Sequence, residues 1–258
     1  DWYRTIGTEG STGTKTFSLT GAIENTGLIE VPMGTTLRHI IYDIGGGIKK
    51  GAAFKAVQIG GPSGGCLVEK HLDEPLDFDS VKKFNAIIGS GGLVVMDENT
   101  CMVDVAKFFM GFTQRESCGK CGPCRIGTKR MLELLNKITR GKMEDLDKLE
   151  ETAKFIQSRS LCGLGKSAPL PVISTMQNFR NEYEEHILEN KCRAHVCEAM
   201  KVYTIDPDKC KGCTKCARNC PVNAITGEKK EPHTIDQTKC IKCGTCMDNC
   251  SFGAISIK

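Results

Sequence analysis

The most constraining feature of this 258-residue chain is a cysteine pattern that occurs twice. Cys210, Cys213, Cys216 and Cys220 recur thirty residues later as Cys240, Cys243, Cys246 and Cys250. The neighbouring residues keep the same offset: Thr204-Ile205-Asp206 returns as Thr234-Ile235-Asp236, and Ala224-Ile225 as Ala254-Ile255. Each half reads as a short strand, a cysteine loop, a helical turn and a second short strand. A stretch of about 55 residues buries too little apolar surface to hold itself together, so something bound by the thiols must serve as its core. A secreted disulfide framework scatters its cysteines through the loops of a smaller chain, whereas paired C-x2-C thiols mark metal or redox chemistry in a reducing compartment. A cytoplasmic location is expected.

Each half is C-x2-C-x2-C-x3-C, followed by Pro221 in the first and Ser251 in the second. At that spacing three thiolates wrap one face of a cubane and the fourth reaches the neighbouring cluster. The pattern predicts one 4Fe–4S cluster on Cys210, Cys213, Cys216 and Cys250, and a second on Cys240, Cys243, Cys246 and Cys220. Two zinc knuckles are the alternative, but zinc suits separate pairs better than two interlocked quartets. The segment resembles bacterial two-cluster ferredoxins over its whole length. Lys209, Lys211, Lys215, Lys239 and Lys242 stand beside the ligands and would offset the clusters' negative charge.

Ser117-Cys118-Gly119-Lys120-Cys121-Gly122-Pro123-Cys124-Arg125 adds three more cysteines at the same spacing, and Cys162 is the next downstream. Helical stripes flank and separate them: Val103 to Phe112; Ile126, Met131, Leu134, Leu135 and Ile138; Leu146, Leu149, Ala153 and Ile156; Val172, Met176, Phe179 and Tyr183. Four helices of this length predict an antiparallel bundle. The cysteine loop then opens a helix, whose N-terminal amides favour an anionic cluster. Cys118, Cys121, Cys124 and Cys162 are thus expected to hold a third 4Fe–4S cluster. A radical-generating cluster with S-adenosylmethionine is the alternative, but it has three residues in its first gap.

The run Glu116 to Thr128, together with Leu161-Cys162-Gly163-Leu164-Gly165, resembles the flavoprotein subunit of respiratory complex I and its counterparts in NAD-linked hydrogenases and formate dehydrogenases. With the ferredoxin-like end, the resemblance narrows to the C-terminal part of the beta subunit of electron-bifurcating FeFe-hydrogenases. It implies an oxidoreductase subunit. Electrons would pass between FMN and NAD(H), bound mainly by a region upstream of Asp1, and the three clusters, which lead to a catalytic FeFe-hydrogenase-like subunit, a thioredoxin-like 2Fe–2S subunit and ferredoxin. The same module in an NAD-linked formate dehydrogenase, or a noncatalytic ferredoxin-like electron-transfer subunit, remains an alternative. The residues themselves offer no nucleophile–base constellation, so no catalytic residue is assigned.

Toward the N-terminus, Thr16 to Ile23 and Gly27 to Val31 alternate as a hairpin, and Phe54 to Ile59 reads as a strand. Between them Leu37, Ile40, Ile41 and Ile44 fall at helical spacing, capped by Thr35 or Thr36 and stopped by Gly45. This order, with Gly60-Gly61-Pro62-Ser63-Gly64-Gly65, resembles a β-grasp, soluble-ligand-binding-like domain. Neither glycine cluster matches a phosphate-loop pattern, so both are read as turns. The expected organisation is α+β and multidomain: 1–18 the tail of an upstream flavin domain, 19–80 the β-grasp domain, 81–100 a closing strand of the flavin domain. A four-helix bundle at 101–185, a hinge at 186–200 and the two-cluster unit at 201–258 follow.

Four cysteines remain. Cys66, alone in a glycine loop, reads as a buried small residue. Cys192 and Cys197 follow His186 closely in the hinge, and three ligands in twelve residues suit zinc. Cys101 is the expected fourth, with His195 the competing imidazole. A tentative structural zinc on Cys101, His186, Cys192 and Cys197 is therefore predicted, against an alternative of reduced, buried thiols. The formal charge of +4 is mild. With no apolar run of about 20 residues, nucleic acid and membrane are not expected partners.

Overall fold

The computed structural model of the chain describes residues 1–142 and 145–257. After a short hairpin of β1 (Gly7–Thr8) and β2 (Ser11–Thr12), the chain forms β3 (Thr14–Gly21) and β4 (Gly27–Pro32), paired antiparallel as the alternation predicts. Leu37, Ile40 and Ile41 are buried, but the turn they build, His39–Ile44, is π-helical. Thr36 Oγ1 accepts from the His39 N–H at 3.3 Å, and the Gly45 N–H closes the end on the Ile40 carbonyl.

β5 (Phe54–Ile59) and β6 (Cys66–Val68) follow as an antiparallel pair joined by the glycine loop. That loop is a turn. Buried Gln58 Nε2 donates to the Gly64 carbonyl at 2.8 Å, and a Cβ on Gly64 would stand 1.7 Å from the Ile59 carbonyl oxygen. Only glycine fits there.

β7 (Gly92–Asp97) differs from the expected organisation. Instead of closing an upstream domain, it lies inside the five-stranded sheet β4-β3-β7-β5-β6, parallel to β3 and antiparallel to β5. The reason is shared burial: Leu93 and Val95 enter the same core as Phe17, Leu19, Val57 and Ile59. Residues 14–18, expected in an upstream tail, likewise belong to β3. Among the described residues this unit therefore runs from 14 to 97, wider than the expected 19–80.

Four long helices come next: α1 (Met102–Arg115), α2 (Gly122–Ile138), α3 (Leu146–Arg159) and, after the short α4 (Gly163–Ser167), α5 (Leu170–Glu184). They pack in a ring, α1 on α2, α2 on α3, α3 on α5 and α5 on α1. Met131, Leu134, Leu135 and Ile138 from α2 meet Leu149, Ala153 and Ile156 from α3 and Val172, Met176 and Tyr183 from α5. Two positions of the expected stripes depart. Ile126 is 64% exposed, because the buried face of α2 runs through Cys124, Gly127, Thr128 and Met131. Phe179 leaves helical geometry (φ −136°, ψ 33°) and packs with Cys66, Met96 and Met102 between sheet and bundle.

That junction is also polar. Lys55 of β5 and Glu182 of α5 form an ion pair of 2.6 Å, with side chains 13% and 4% exposed. Glu182 also accepts the Met102 N–H at the start of α1, and Ser174 Oγ accepts the Cys66 N–H at 2.9 Å. Sheet and bundle are thus bonded to each other through α5.

The last unit is the predicted repeat: β8 (Tyr203–Ile205), α6 (Lys215–Arg218), β9 (Ile225–Thr226), β10 (Thr234–Ile235), α7 (Thr245–Asp248) and β11 (Ile255–Ile257). Its halves interlock, since β8 pairs with β11 and β9 with β10. The cysteine loops share backbone geometry as well as sequence. Positive φ falls at Gly212 and Lys242, and again at Thr214 and Gly244, each pair thirty residues apart.

Candidate metal centres

In the repeat the cysteines sort across the halves as the spacing predicts. Cys210, Cys213, Cys216 and Cys250 line one cavity. Cys220, Cys240, Cys243 and Cys246 line another. Strand exchange between the halves carries Cys250 to the first loop and Cys220 to the second. Backbone donors are already aimed at sulfur: Ala224 N–H on Cys220 Sγ at 3.2 Å, Ala254 N–H on Cys250 Sγ at 3.3 Å, Lys242 N–H on Cys240 Sγ at 3.4 Å. Such donors favour thiolates, the form that binds iron. Four sulfurs, an otherwise largely apolar lining and N–H donors fit a 4Fe–4S cluster in each cavity.

The lysines expected beside the ligands divide. Lys209 and Lys239 pair with Asp206 and Asp236 at 3.4 and 3.6 Å, equivalent bonds in the two halves. Lys211 lines the first cavity, and Lys242 reaches out of the unit to the Ala199 carbonyl.

In the bundle, Cys121 caps α2 and Cys162 caps α4, so two helix N-termini carry cysteines. The two segments touch. A Cβ on Gly165 would stand 3.4 Å from Cys124 Cβ, and the backbone N–H groups of Leu161 and Cys124 hold the Cys121 thiol below its ordinary pKa. Ser117 Oγ lies 3.3 Å from Cys124 Sγ. Cys124 is buried, Cys121 half-buried, Cys118 and Cys162 exposed. This donor set fits an anionic cluster at one end of the bundle.

The remaining expected site comes together from three segments. Cys101 caps α1, its Sγ accepting the Asp104 N–H; His186 sits in the π-helical turn Glu185–Glu189 beyond α5; Cys192 and Cys197 lie in the following loop. Their ligand atoms all lie within 4.8 Å of one another, and all four residues are buried. Cys101 Sγ is 3.9 Å from Cys197 Sγ, and His186 Nε2 is 3.4 Å from each. A tetrahedron with Zn–S of about 2.3 Å and Zn–N of about 2.0–2.1 Å has edges of about 3.8 and 3.6 Å, so the spacing is that of zinc ligands. His186 Nδ1–H donates to the Glu182 carbonyl at 2.6 Å, which turns Nε2 toward the sulfurs. Burial pulls the His186 pKa down, but hydrogen bonds from the ring to the Cys101 and Cys192 sulfurs carry it up to about 10. Contact with Cys101 pulls the Cys192 thiol down and pushes Cys197 up, as expected of thiols too close to ionise together without a cation. The competing His195 is exposed in a left-handed turn and takes no part.

Cys66 lies in β6, fully buried, and burial pushes its thiol up to about 12. Two residues of the cluster cavities escaped sequence analysis. Tyr203 lines the second cavity and His233 the first, at equivalent places in the repeat. Extending the thirty-residue alignment one residue upstream of Thr204 and Thr234 would have found them.

Comparison with known proteins now adds the family. Residues 104–186 match the iron-sulfur binding region of NADH-ubiquinone oxidoreductase-F, residues 209–254 a 4Fe-4S dicluster domain and residues 16–67 an SLBB domain. The NADP-reducing hydrogenase subunit HndC of Solidesulfovibrio fructosivorans is 58% identical over 90% of this chain and 48% of its own length. The F subunit of the NADH-quinone oxidoreductase of Streptomyces coelicolor is 41% identical over 74% of this chain and 43% of its own. The crystal structure of an NAD+-reducing NiFe-hydrogenase in the H2-reduced state superposes with a TM-score of 0.65 at 32% identity, covering 72% of this chain and 32% of that one. The chain spans about half the length of the curated relatives it matches. It is homologous to the F subunit of NADH-quinone oxidoreductases, to the hydrogenase subunit HndC and to the NAD+-reducing NiFe-hydrogenase.

Proposed function

We propose that this chain is the electron-transfer portion of an NAD(P)-linked oxidoreductase subunit, relaying electrons through three 4Fe–4S clusters. The observation that carries the reading is the sorting of eight cysteines, across the repeat, into two cavities of four. Cys210, Cys213, Cys216 and Cys250 would hold one cluster and Cys220, Cys240, Cys243 and Cys246 the next. Cys118, Cys121, Cys124 and Cys162 would hold the third at the exposed end of the bundle. The clusters supply reversible one-electron transfer. Cysteine thiolates and backbone N–H groups set their charge balance, and the apolar lining of each cavity limits water.

The bundle site is the entry point in this reading, taking electrons from FMN reduced by NAD(P)H outside these residues. The ferredoxin-like unit delivers them to a hydrogenase subunit or to ferredoxin, in electron bifurcation with a thioredoxin-like 2Fe–2S subunit. Similarity to an NADP-reducing hydrogenase subunit and to an NAD+-reducing hydrogenase supports the pairing of nicotinamide with hydrogen chemistry. Cys101, His186, Cys192 and Cys197 would bind structural zinc, joining α1, α5 and the loop before the ferredoxin-like unit. No helix among the described residues is long and apolar enough to cross a membrane.

The test is elemental and kinetic. Anaerobically isolated whole polypeptide should carry about twelve iron atoms, four per cubane, with near-stoichiometric zinc. NADH-driven viologen reduction should cease when flavin is removed. Iron near zero, or reduction that survives flavin removal, would sink the reading; full iron without zinc would remove the zinc assignment alone.

A further inference from the structure

The set of Cys101, His186, Cys192 and Cys197 is braced from outside by two charged residues that meet between sheet and bundle. In β5, Lys55 sits where the register against β7 slips, Phe54 facing Asp97 and Ala56 facing Met96. Such a bulge leaves one residue out of the ladder and re-aims its side chain. Lys55 is turned inward, and its Nζ donates to the Thr100 carbonyl at 2.5 Å as well as to the Glu182 carboxylate at 2.6 Å. Thr100 directly precedes Cys101.

Glu182 reaches the same cysteine from its other side. Oε1 holds Lys55, and Oε2 accepts the N–H of Met102, the residue after Cys101, at 3.1 Å. That N–H opens α1 and has no partner within the helix. The Glu182 backbone carbonyl meanwhile accepts from His186 Nδ1 at 2.6 Å. The pair therefore fixes the backbone on both sides of one sulfur ligand, and Glu182 also fixes the ring of the imidazole ligand. Stability alone does not account for it. Burying two charges costs about what their attraction returns, and an apolar pair of similar volume often does as well or better.

We propose that Lys55 and Glu182 are positioning residues for zinc: they hold Cys101 and His186 in place, so that the sheet sets how tightly the site at the hinge keeps its metal. The proposal rests on the reading of Cys101, His186, Cys192 and Cys197 as zinc ligands. Those ligands come from three segments, and their atoms lie within 4.8 Å of one another. Holding segments that close without a metal needs contacts outside the ligand set, and hydrogen bonds to ligating residues supply them. Metal binding and the seating of the sheet on the bundle are then linked, because whatever parts Lys55 from Glu182 also frees the backbone around Cys101.

The experiment uses the whole cluster-loaded polypeptide, equilibrated anaerobically with a graded zinc chelator and analysed for zinc and iron. The variants are Glu182→Gln, the double change Lys55→Met with Glu182→Met, and Leu37→Ala in the sheet core, each also melted. Outer contacts of this kind are worth roughly ten- to hundredfold in metal affinity. The double variant leaves neither the Thr100 carbonyl nor the Met102 N–H its partner, and should lose zinc affinity by that factor. Glu182→Gln keeps one acceptor oxygen and should lose less, although it melts lower than the double variant. Leu37→Ala should melt lower than wild type and hold zinc as tightly. Zinc affinity that follows melting temperature across the set would overturn the proposal. Should the double variant not fold, Glu182→Gln set against Leu37→Ala still decides, since only the former should loosen zinc. Zinc held equally by every variant removes only the role of Lys55 and Glu182, whereas wild type with full iron and no zinc removes the zinc reading beneath it.

Discussion

The five-stranded sheet and the C-terminal repeat hold themselves together in opposite ways. Among the described residues the sheet region gathers nineteen buried apolar side chains into one core, and the repeat gathers five, two of them cysteines. Burial stabilises by roughly 25 cal/mol per Å² of apolar surface, so the sheet region has a core of ordinary origin. The repeat has strand pairs only two or three residues long and little to bury. On the proposed reading, its fold is a consequence of what its thiols bind. The same chain would thus contain one unit whose stability is spread over many residues and another that depends on eight.

The sharpest way to break this comparison is to strip the iron. Anaerobic chelation of the whole polypeptide should abolish amide protection in β8 to β11 while Phe17–Leu19 and Val57–Ile59 stay protected, as hydrogen exchange would read. Protection of β8 and β11 that persists without iron would show that the repeat has a core of its own. Next in size is the junction of sheet and bundle. Glu182→Gln leaves the Lys55 ammonium buried opposite a neutral amide, and breaking a buried pair on one side costs about 3–5 kcal/mol. The double change Lys55→Met with Glu182→Met should recover much of that loss, because an apolar pair needs no compensation. Thermal melts of the three proteins measure it, and a double variant no better than the single one would mean that the Met102 N–H contact dominates. Leu37→Ala, a cavity in the sheet core, should cost about 2–5 kcal/mol. It should leave the visible absorbance of the clusters unchanged, and bleaching by this variant would contradict the independence of the two units.

What was legible in the sequence follows the same division. Metal ligation writes itself into spacing, because two residues between thiols is the reach of one turn around a cubane. The three-cysteine loops at 118–124, 210–216 and 240–246 could therefore be read locally. The set of Cys101, His186, Cys192 and Cys197 was only partly local; Cys101 stands 85 residues from His186 and was reached by elimination. Packing is written less plainly. β7 has the same alternation whether it closes one sheet or fills the middle of another, and only its neighbours on both sides decide. Ile126 was placed on a stripe although five residues before Met131 lies about 140° around a helix from it. Glu182 gave no signal at all, since a carboxylate near the end of a helix usually faces water. Here it is 3% exposed, holds Lys55 with its side chain and His186 with its carbonyl.

The smallest expected effect tests whether charge alone matters to the sheet region. Arg38 and Asp73 form a bidentate pair, Nε to Oδ1 at 2.6 Å and Nη2 to Oδ2 at 2.8 Å, which ties the segment after β4 to the turn after β6. The geometry is as good as that of Lys55 and Glu182, and the guanidinium holds the Asp73 carboxyl below its usual pKa. Both side chains are, however, at least half exposed. Water and salt screen such a pair, and ordering two long side chains offsets what attraction remains. A depressed carboxyl pKa stabilises the fold above the unfolded value and is lost as pH falls through the folded one, so this contribution should fade in acid. Asp73→Asn should shift the melting temperature barely, and the shift should vanish in about 1 M salt, where the Debye length is about 3 Å. The effect of Glu182→Gln should persist there. Equal salt sensitivity of the two variants would mean that burial is not what separates them.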